Sequence, residues 1–187
     1  MKSAILRKKF FNRPTAVVAR ELLGKYLVRK IRNREVALKI TEVEAYDGLK
    51  DKASHASRGK TERNTPMFGP AGRFYVYFVY GIHWMLNIVT GKKGFPAAIL
   101  IRSTAEISGP ARLTKILRIG KSFNGKPALS KSGLWFENRG EIIHRGEIKK
   151  TPRIGVAYAG PVWSKKPYRF VLTKRKPLRR RARVKKN

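Results

Sequence analysis

The stretch Val36-Ala-Leu-Lys-Ile-Thr-Glu-Val-Glu-Ala-Tyr46 alternates apolar residues with small or polar ones, the two-residue period of a β-strand that buries one face. Val36, Leu38 and Ile40 mark the buried side. If the strand runs on unbroken, the same period puts Glu42, Glu44 and Tyr46 on that side too and carries carboxylates toward an interior or a pocket. Glu42, Glu44, Asp47 and Asp51 are four of only eleven acidic residues in the chain, so the concentration is informative. Two readings stand. The glutamates pair with buried arginines as structural ions, or one of them faces a ligand and does acid–base work.

Outward from that strand, Tyr26 to Ile31 reads as its partner, joined through the polar turn Arg32-Asn33-Arg34 into an antiparallel hairpin. Before it, residues 14 to 23 group Val17, Val18, Leu22 and Leu23 as a helix, with Pro14 suited to a first helical position and Gly24 to a stop. After it, Leu49 to Gly72 is rich in Ser, Gly, Pro, Lys and Arg without a period and is expected to form an ordered surface loop or short helical turns. Phe74-Tyr-Val-Tyr-Phe-Val-Tyr80 is an aromatic and β-branched run, broken by Gly81 and resumed from Trp84 to Val89, which predicts a second hairpin. Ala97 to Ile101 supplies another strand, Ala111 to Ile119 a helix with Leu113, Ile116 and Leu117 on one side, and residues 153 to 158 and 168 to 172 two closing strands.

The chain of 187 residues, 42% apolar, suits one domain over residues 1–173. From Lys174 onward nine cations occur without an acid, and self-repulsion is expected to keep 174–187 a disordered basic tail until it meets phosphate. The formal charge of +33 asks for a polyanionic partner. Nucleic acid fits better than a membrane, because clustered cations release counterions from closely spaced phosphates and no amphipathic or lipid anchor is evident. Without cysteine there is no disulfide, thiolate zinc site, iron–sulfur cluster or thiol nucleophile. The first residues lack the apolar core of a signal peptide and no stretch is long enough to span a bilayer, so an intracellular protein working with DNA and no membrane is expected. Lysine pairs such as Lys92-Lys93 and Lys165-Lys166 read as diffuse phosphate attraction and specify no base.

In the aromatic run, Tyr77 and Tyr80 fall on opposite faces, one able to line a pocket and the other at the tip of a turn. Phe74, Tyr75 and Phe78 read as β-core. A large ring beside a turn glycine has little core to enter, so Tyr80 suits a wedge between stacked bases. A carboxylate facing a ring-lined slot in a polycationic protein suits hydrolysis of a nucleobase–sugar bond, with the carboxylate activating water. Asp47, Asp51 and His55 recur every four residues as a candidate metal trio, but Gly48 argues against the regular helix that would align them, and no metal is expected.

Val18-Ala-Arg-Glu-Leu-Leu-Gly-Lys25, Thr41-Glu-Val-Glu-Ala-Tyr46, Ser54-His55, Arg63-Asn64 and Met67-Phe-Gly-Pro70 together resemble the alkyladenine (3-methyladenine) DNA glycosylase family. The later blocks Tyr75-Val-Tyr-Phe-Val-Tyr-Gly81, Asn87, Ile101-Arg102, Gly109-Pro110, Arg153-Ile-Gly-Val156 and Lys166-Pro-Tyr-Arg-Phe170 follow in the family's order, so the likeness runs from about Phe10 to Leu172. The resemblance implies a mixed α/β (α+β) single domain on a curved, mostly antiparallel sheet with a protruding β-hairpin. It also implies a monomeric, cofactor-free enzyme that excises alkylated or deaminated purines (3-methyladenine, hypoxanthine, ethenoadenine) from double-stranded DNA. Carried over residue by residue, Glu44 is the general base, and Arg102 with the backbone carbonyl of Val156 holds the attacking water. Tyr46, His55 and Tyr77 surround the flipped base, Tyr80 fills the gap in the duplex, and Asn87 excludes the exocyclic amine of normal guanine. The rival reading is a noncatalytic basic nucleic-acid-binding protein, which explains the charge but neither the clustered acids nor the paired tyrosines; a metal-dependent nuclease is a weaker third.

Overall fold

The computed structural model describes residues Ser3 to Thr173; the basic stretch from Lys174 lies outside them. In chain order the elements are β1 (Ala4–Ile5), α1 (Lys8–Phe11), α2 (Thr15–Leu22), β2 (Tyr26–Ile31), β3 (Arg34–Asp47), β4 (Phe74–Val79), β5 (His83–Val89), β6 (Ala97–Thr104), α3 (Pro110–Ile116), β7 (Leu134–Asn138), β8 (Ile148–Thr151), α4 (Gly160–Lys165) and β9 (Arg169–Leu172). The strands form one sheet in the order β1-β7-β2-β3-β6-β5-β4, with β9 added to β3 and β8 to β9. Every pairing is antiparallel. This is an α+β domain whose sheet does not close into a barrel. One face is covered by α2, which buries Val18, Ala19 and Leu22, and by α3, which buries Leu113. Leu38, Ile40, Phe74, Ile88, Ile99 and Phe136 supply much of the sheet's side of that core.

The long strand β3 departs from the sequence reading where it matters most. Pairing with β6 steps from Ile40–Thr104 to Glu42–Ser103 and then to Val43–Ile101, so Thr41 is an extra residue on β3 and Arg102 an extra residue on β6. The bulge moves the alternation by one. Leu38 and Ile40 face the core before it, Val43 and Ala45 after it, and Glu42, Glu44 and Tyr46 are turned to the opposite face. The expectation that the glutamates share a side with Val36, Leu38 and Ile40 is thereby corrected. Val36 itself lies beside the β2–β3 turn and is 36% exposed.

Other expectations fail for local reasons. Residues 153–158 form no strand, because Gly155 turns the backbone at φ +74° and a 3-10 turn follows at Ala157–Ala159; the closing strand before β9 is β8. Ile116 is 52% exposed where a core position was expected, since α3 ends there and turns Leu113, Thr114 and Leu117 inward instead. Phe78 is also exposed, because the β4–β5 hairpin runs past the edge of the core and its ring rests on Trp84. The 49–72 segment contains 3-10 turns at His55–Arg58 and Thr65–Phe68, yet it is more than a surface loop: Asp51, Ser54, Ala56, Asn64 and Met67 are buried. The Asn64 amide ties the loop together by donating to the carbonyls of His55 and Gly59.

Candidate active site

The face of β3 that the bulge turns away from the core carries Glu42 and Glu44, and the same bulge aims Arg102 at both. Arg102 Nε donates to Glu42 Oε1 at 2.9 Å and Nη1 to Glu44 Oε2 at 3.2 Å. The two carboxylates then differ. Glu42 also accepts from Ser103 Oγ (2.8 Å) and Arg169 Nε (2.6 Å). Burial would push its carboxyl up, but these hydrogen bonds and the two guanidinium charges outweigh that and hold it below the usual carboxylate range. For Glu42 the structural-ion reading is the right one.

Glu44 is 0% exposed and accepts three hydrogen bonds. Besides Arg102, the Tyr46 hydroxyl donates to Oε2 at 3.0 Å and the backbone N–H of Ile154 donates to Oε1 at 2.8 Å. Sequence reasoning missed the Ile154 amide, since a backbone donor leaves no mark in composition or period. Val156, expected to offer its carbonyl, is buried nearby in the 3-10 turn region, and that oxygen accepts from the Ala159 N–H at 3.0 Å.

Beside this cluster lies a slot of about 40 Å³ lined by Tyr46, Ala53, Ser54, His55, Met67, Tyr75, Tyr77, Asn87, Ala98 and Tyr158. Four residues expected at the base pocket, Tyr46, His55, Tyr77 and Asn87, thus meet in one place. Glu44 stands behind the slot instead of on its wall, and the Tyr46 hydroxyl links the two. The space suffices for about two waters. A larger cavity, about 810 Å³ between residues 39–41, 104–105, 140–147 and 172–173, has no aromatic wall and contains neither Glu44 nor its partners.

The walls are fixed by contacts between rings. His55 Nδ1 is 2.9 Å from the Tyr75 hydroxyl, and the imidazole meets Tyr77 edge-on at 4.6 Å between centroids. Burial of the ring among tyrosines, then the Arg63 charge, push the imidazole down to about 4, so it is neutral at pH 7 even though the residue keeps an exposed edge. Burial likewise pushes Tyr75 up to about 12 and raises Tyr46 and Tyr77, so these phenols stay protonated donors. Asn87 donates to the Tyr75 carbonyl at 3.1 Å. Tyr75 is buried in a small apolar cluster, as expected of a core residue, and it also lines this wall because it shares a strand face with Tyr77. Two more wall residues escaped the sequence reading: Met67, brought in by the second 3-10 turn, and Tyr158, 67% exposed at the mouth, whose hydroxyl donates to the Ala53 carbonyl at 2.9 Å.

Tyr80 is not in the slot. It sits at the tip of the β4–β5 hairpin, 84% exposed, with φ +53° followed by Gly81 at φ +67°. Successive positive φ values match a hairpin turn that follows the twist of its strands, and the ring is held away from the protein. Asp47, Asp51 and His55 do not converge: Asp47 accepts from Thr15, Asp51 binds Arg153, and His55 faces Tyr75. Among the described residues no group of three or more His, Asp or Glu is placed to share a metal ion, and no helix is long and apolar enough to cross a membrane.

A sequence profile of the family described as methylpurine-DNA glycosylase matches residues 9–108 and 104–176. Curated proteins that carry the name "Putative 3-methyladenine DNA glycosylase" are similar over most of the chain. One from Methanocella arvoryzae is 42% identical over 186 residues, covering 89% of this chain and 91% of that protein. One from Anaeromyxobacter dehalogenans strain 2CP-C is 41% identical over 174 residues, covering 89% and 83%, and one from Legionella pneumophila strain Lens is 41% identical over 174 residues, covering 89% and 93%.

Proposed function

The chain belongs to the methylpurine-DNA glycosylase family and is a monofunctional DNA glycosylase acting on DNA, and we propose that it hydrolyses the N-glycosidic bond of alkylated or deaminated purines flipped into the tyrosine-lined slot. The observation that carries this reading is the position of Glu44: a wholly buried carboxylate held by three donors, one of which is the hydroxyl of a wall tyrosine. Glu44 takes a proton from water as the water oxygen bonds to the sugar C1′. The glycosidic electron pair leaves with the purine. Positive charge grows on the sugar in the transition state, and an anionic Glu44 stabilises it without any reorganisation. Arg102 and the Val156 carbonyl help hold the water.

The slot is too small for a purine as it stands, so entry requires the mouth to open, and the exposed ring of Tyr158, tethered there by its hydroxyl's bond to the Ala53 carbonyl, is the wall element whose release would open it. Tyr46, His55 and Tyr77 then stack and hydrogen-bond the flipped base. Tyr80 fills the vacancy in the duplex, and a damaged or weakly paired nucleotide costs the least unstacking. Asn87 meets the base edge where guanine bears its amine and selects by exclusion. The substrates are lesions such as 3-methyladenine, hypoxanthine and ethenoadenine in double-stranded DNA, and the enzyme works as a monomer. Incubating it with a hypoxanthine-containing duplex in EDTA, then treating with alkali, gives strand breaks at the lesion. Intact strands support a noncatalytic binder, and breaks that appear only when EDTA is left out support a nuclease.

A further inference from the structure

Besides Glu42 and Glu44, whose arginine partners stay partly exposed, one more of the chain's scarce acids is committed to an ion pair, and this one is fully buried. Arg153 donates two bonds to Asp51, of 2.6 and 2.8 Å, and both side chains are 0% exposed. Burial of such a pair is a poor source of stability in itself, because desolvation offsets the attraction. Its placement is more telling. Nη1 also donates to the Ala45 carbonyl at 2.8 Å and Nη2 to the Trp163 carbonyl at 3.4 Å, so one guanidinium joins β3, the loop after it and α4. The group lies 4.7 Å from the centre of the Tyr46 ring and 5.4 Å from that of Tyr168.

Two links run from Arg153 to Glu44. The residue after Arg153 is Ile154, whose N–H holds Glu44 Oε1, and the ring on which the guanidinium rests belongs to Tyr46, whose hydroxyl holds Glu44 Oε2. Two of the three donors on the carboxylate therefore hang from Arg153, one through the backbone and one through a stacked ring. The third, Arg102, comes independently from β6. A planar fork is needed for this. A lysine ammonium has no plane to lay on Tyr46 and cannot reach Asp51, Ala45 and Trp163 together.

We propose that Arg153, locked by Asp51, is a positioning residue for the hydrolytic step, setting the direction of both Glu44 oxygens through Ile154 and Tyr46. The proposal rests on the reading of Glu44 as the base. Its test is single-turnover excision from a hypoxanthine duplex with enzyme in excess, measured beside Kd for the same duplex and Tm. The proteins are wild type, Glu44→Gln, Arg153→Lys and the milder Tyr168→Leu, which removes one stacking face and leaves the ion pair. Arg153→Lys is expected to excise about 100-fold more slowly and Tyr168→Leu about 10-fold more slowly, with Kd nearly unchanged, because a small misplacement of a catalytic group costs rate and not affinity. If Arg153→Lys does not fold, Tyr168→Leu decides. A purely structural pair lowers Tm and leaves the rate of the folded protein at the wild-type value, and that result overturns the proposal. Wild-type excision by Glu44→Gln removes the reading of Glu44 instead; an inactive Glu44→Gln beside undiminished Arg153→Lys and Tyr168→Leu removes only the positioning role.

Discussion

At Glu44 and Glu42 two carboxylates of one strand face are given different tasks by their neighbours. Glu42 is saturated by two arginines and a serine, whereas Glu44 shares Arg102 and otherwise meets a phenol and a backbone amide next to a slot. Asn87, across that slot, gives the selectivity prediction: Asn87→Ala raises excision of ordinary guanine relative to hypoxanthine by about 10-fold, read from competing duplexes, since a lost clash is worth one to a few kcal/mol. His55 gives a pH prediction. Its folded imidazole titrates at about 4 against 6.5 for the free group, so between those values the unfolded chain binds the extra proton and stability falls as pH drops from 6.5 toward 4. The depressed carboxyls of Glu42, Glu137 and Glu141 add a further loss below pH 4.5. Tm followed between pH 7 and 4 shows the first decline in wild type, and His55→Gln flattens it above pH 4.5. Glu44 and Tyr46 stand out by their chemistry, although the unbroken period put them on the wrong face, and Tyr77 stands out by the alternation of its own strand. The Ile154 amide does not, because its role depends on a turn made by Gly155 and on a contact 110 residues away along the chain.

Among the elements, β3 and the β4–β5 hairpin do the placing. The bulge at Thr41 and Arg102 is what lets a single strand bury Ile40 on one face and deliver Glu44 to the other. A signal for it exists in the sequence: the apolar set moves from even positions 36, 38 and 40 to odd positions 43 and 45. Deleting Thr41 removes the extra residue and leaves Val43 and Ala45 in plain alternation with Leu38 and Ile40, with both glutamates still on the opposite face, so the folded state is expected to survive in circular dichroism; its loss would contradict the bulge as the source of the shift. The hairpin was legible because its turn chemistry is local, as were β2, β6 and β9. The 153–158 segment was misread because Ile154 and Val156 look like strand residues, while tertiary contacts to Glu44 and the Gly155 bend override that propensity. For Tyr80→Ala, which leaves the slot intact, affinity for lesion duplex falls about 10-fold or more and less ethenoadenine is flipped, seen as a smaller fluorescence change on binding. No change in either would place the wedge elsewhere.

Over the whole molecule, the chain carries a charge of +33 while the slot is lined by uncharged groups, and on the proposed reading the first finds DNA and the second chooses a base. Raising salt should therefore weaken duplex binding steeply while the single-turnover rate at saturating enzyme stays level. Removing residues 174–187 takes away nine of the cations, and if that stretch slides on phosphate the plot of log Kd against log salt becomes shallower with excision per bound duplex unchanged; an unchanged slope rules the role out. None of these outcomes reaches the chemistry as directly as replacing one carboxylate oxygen by an amide. Glu44→Gln, assayed under single turnover on a hypoxanthine duplex with binding measured in parallel, is predicted to hold DNA as wild type does and to excise about 10²- to 10⁴-fold more slowly. Excision at the wild-type rate by that variant would contradict the account.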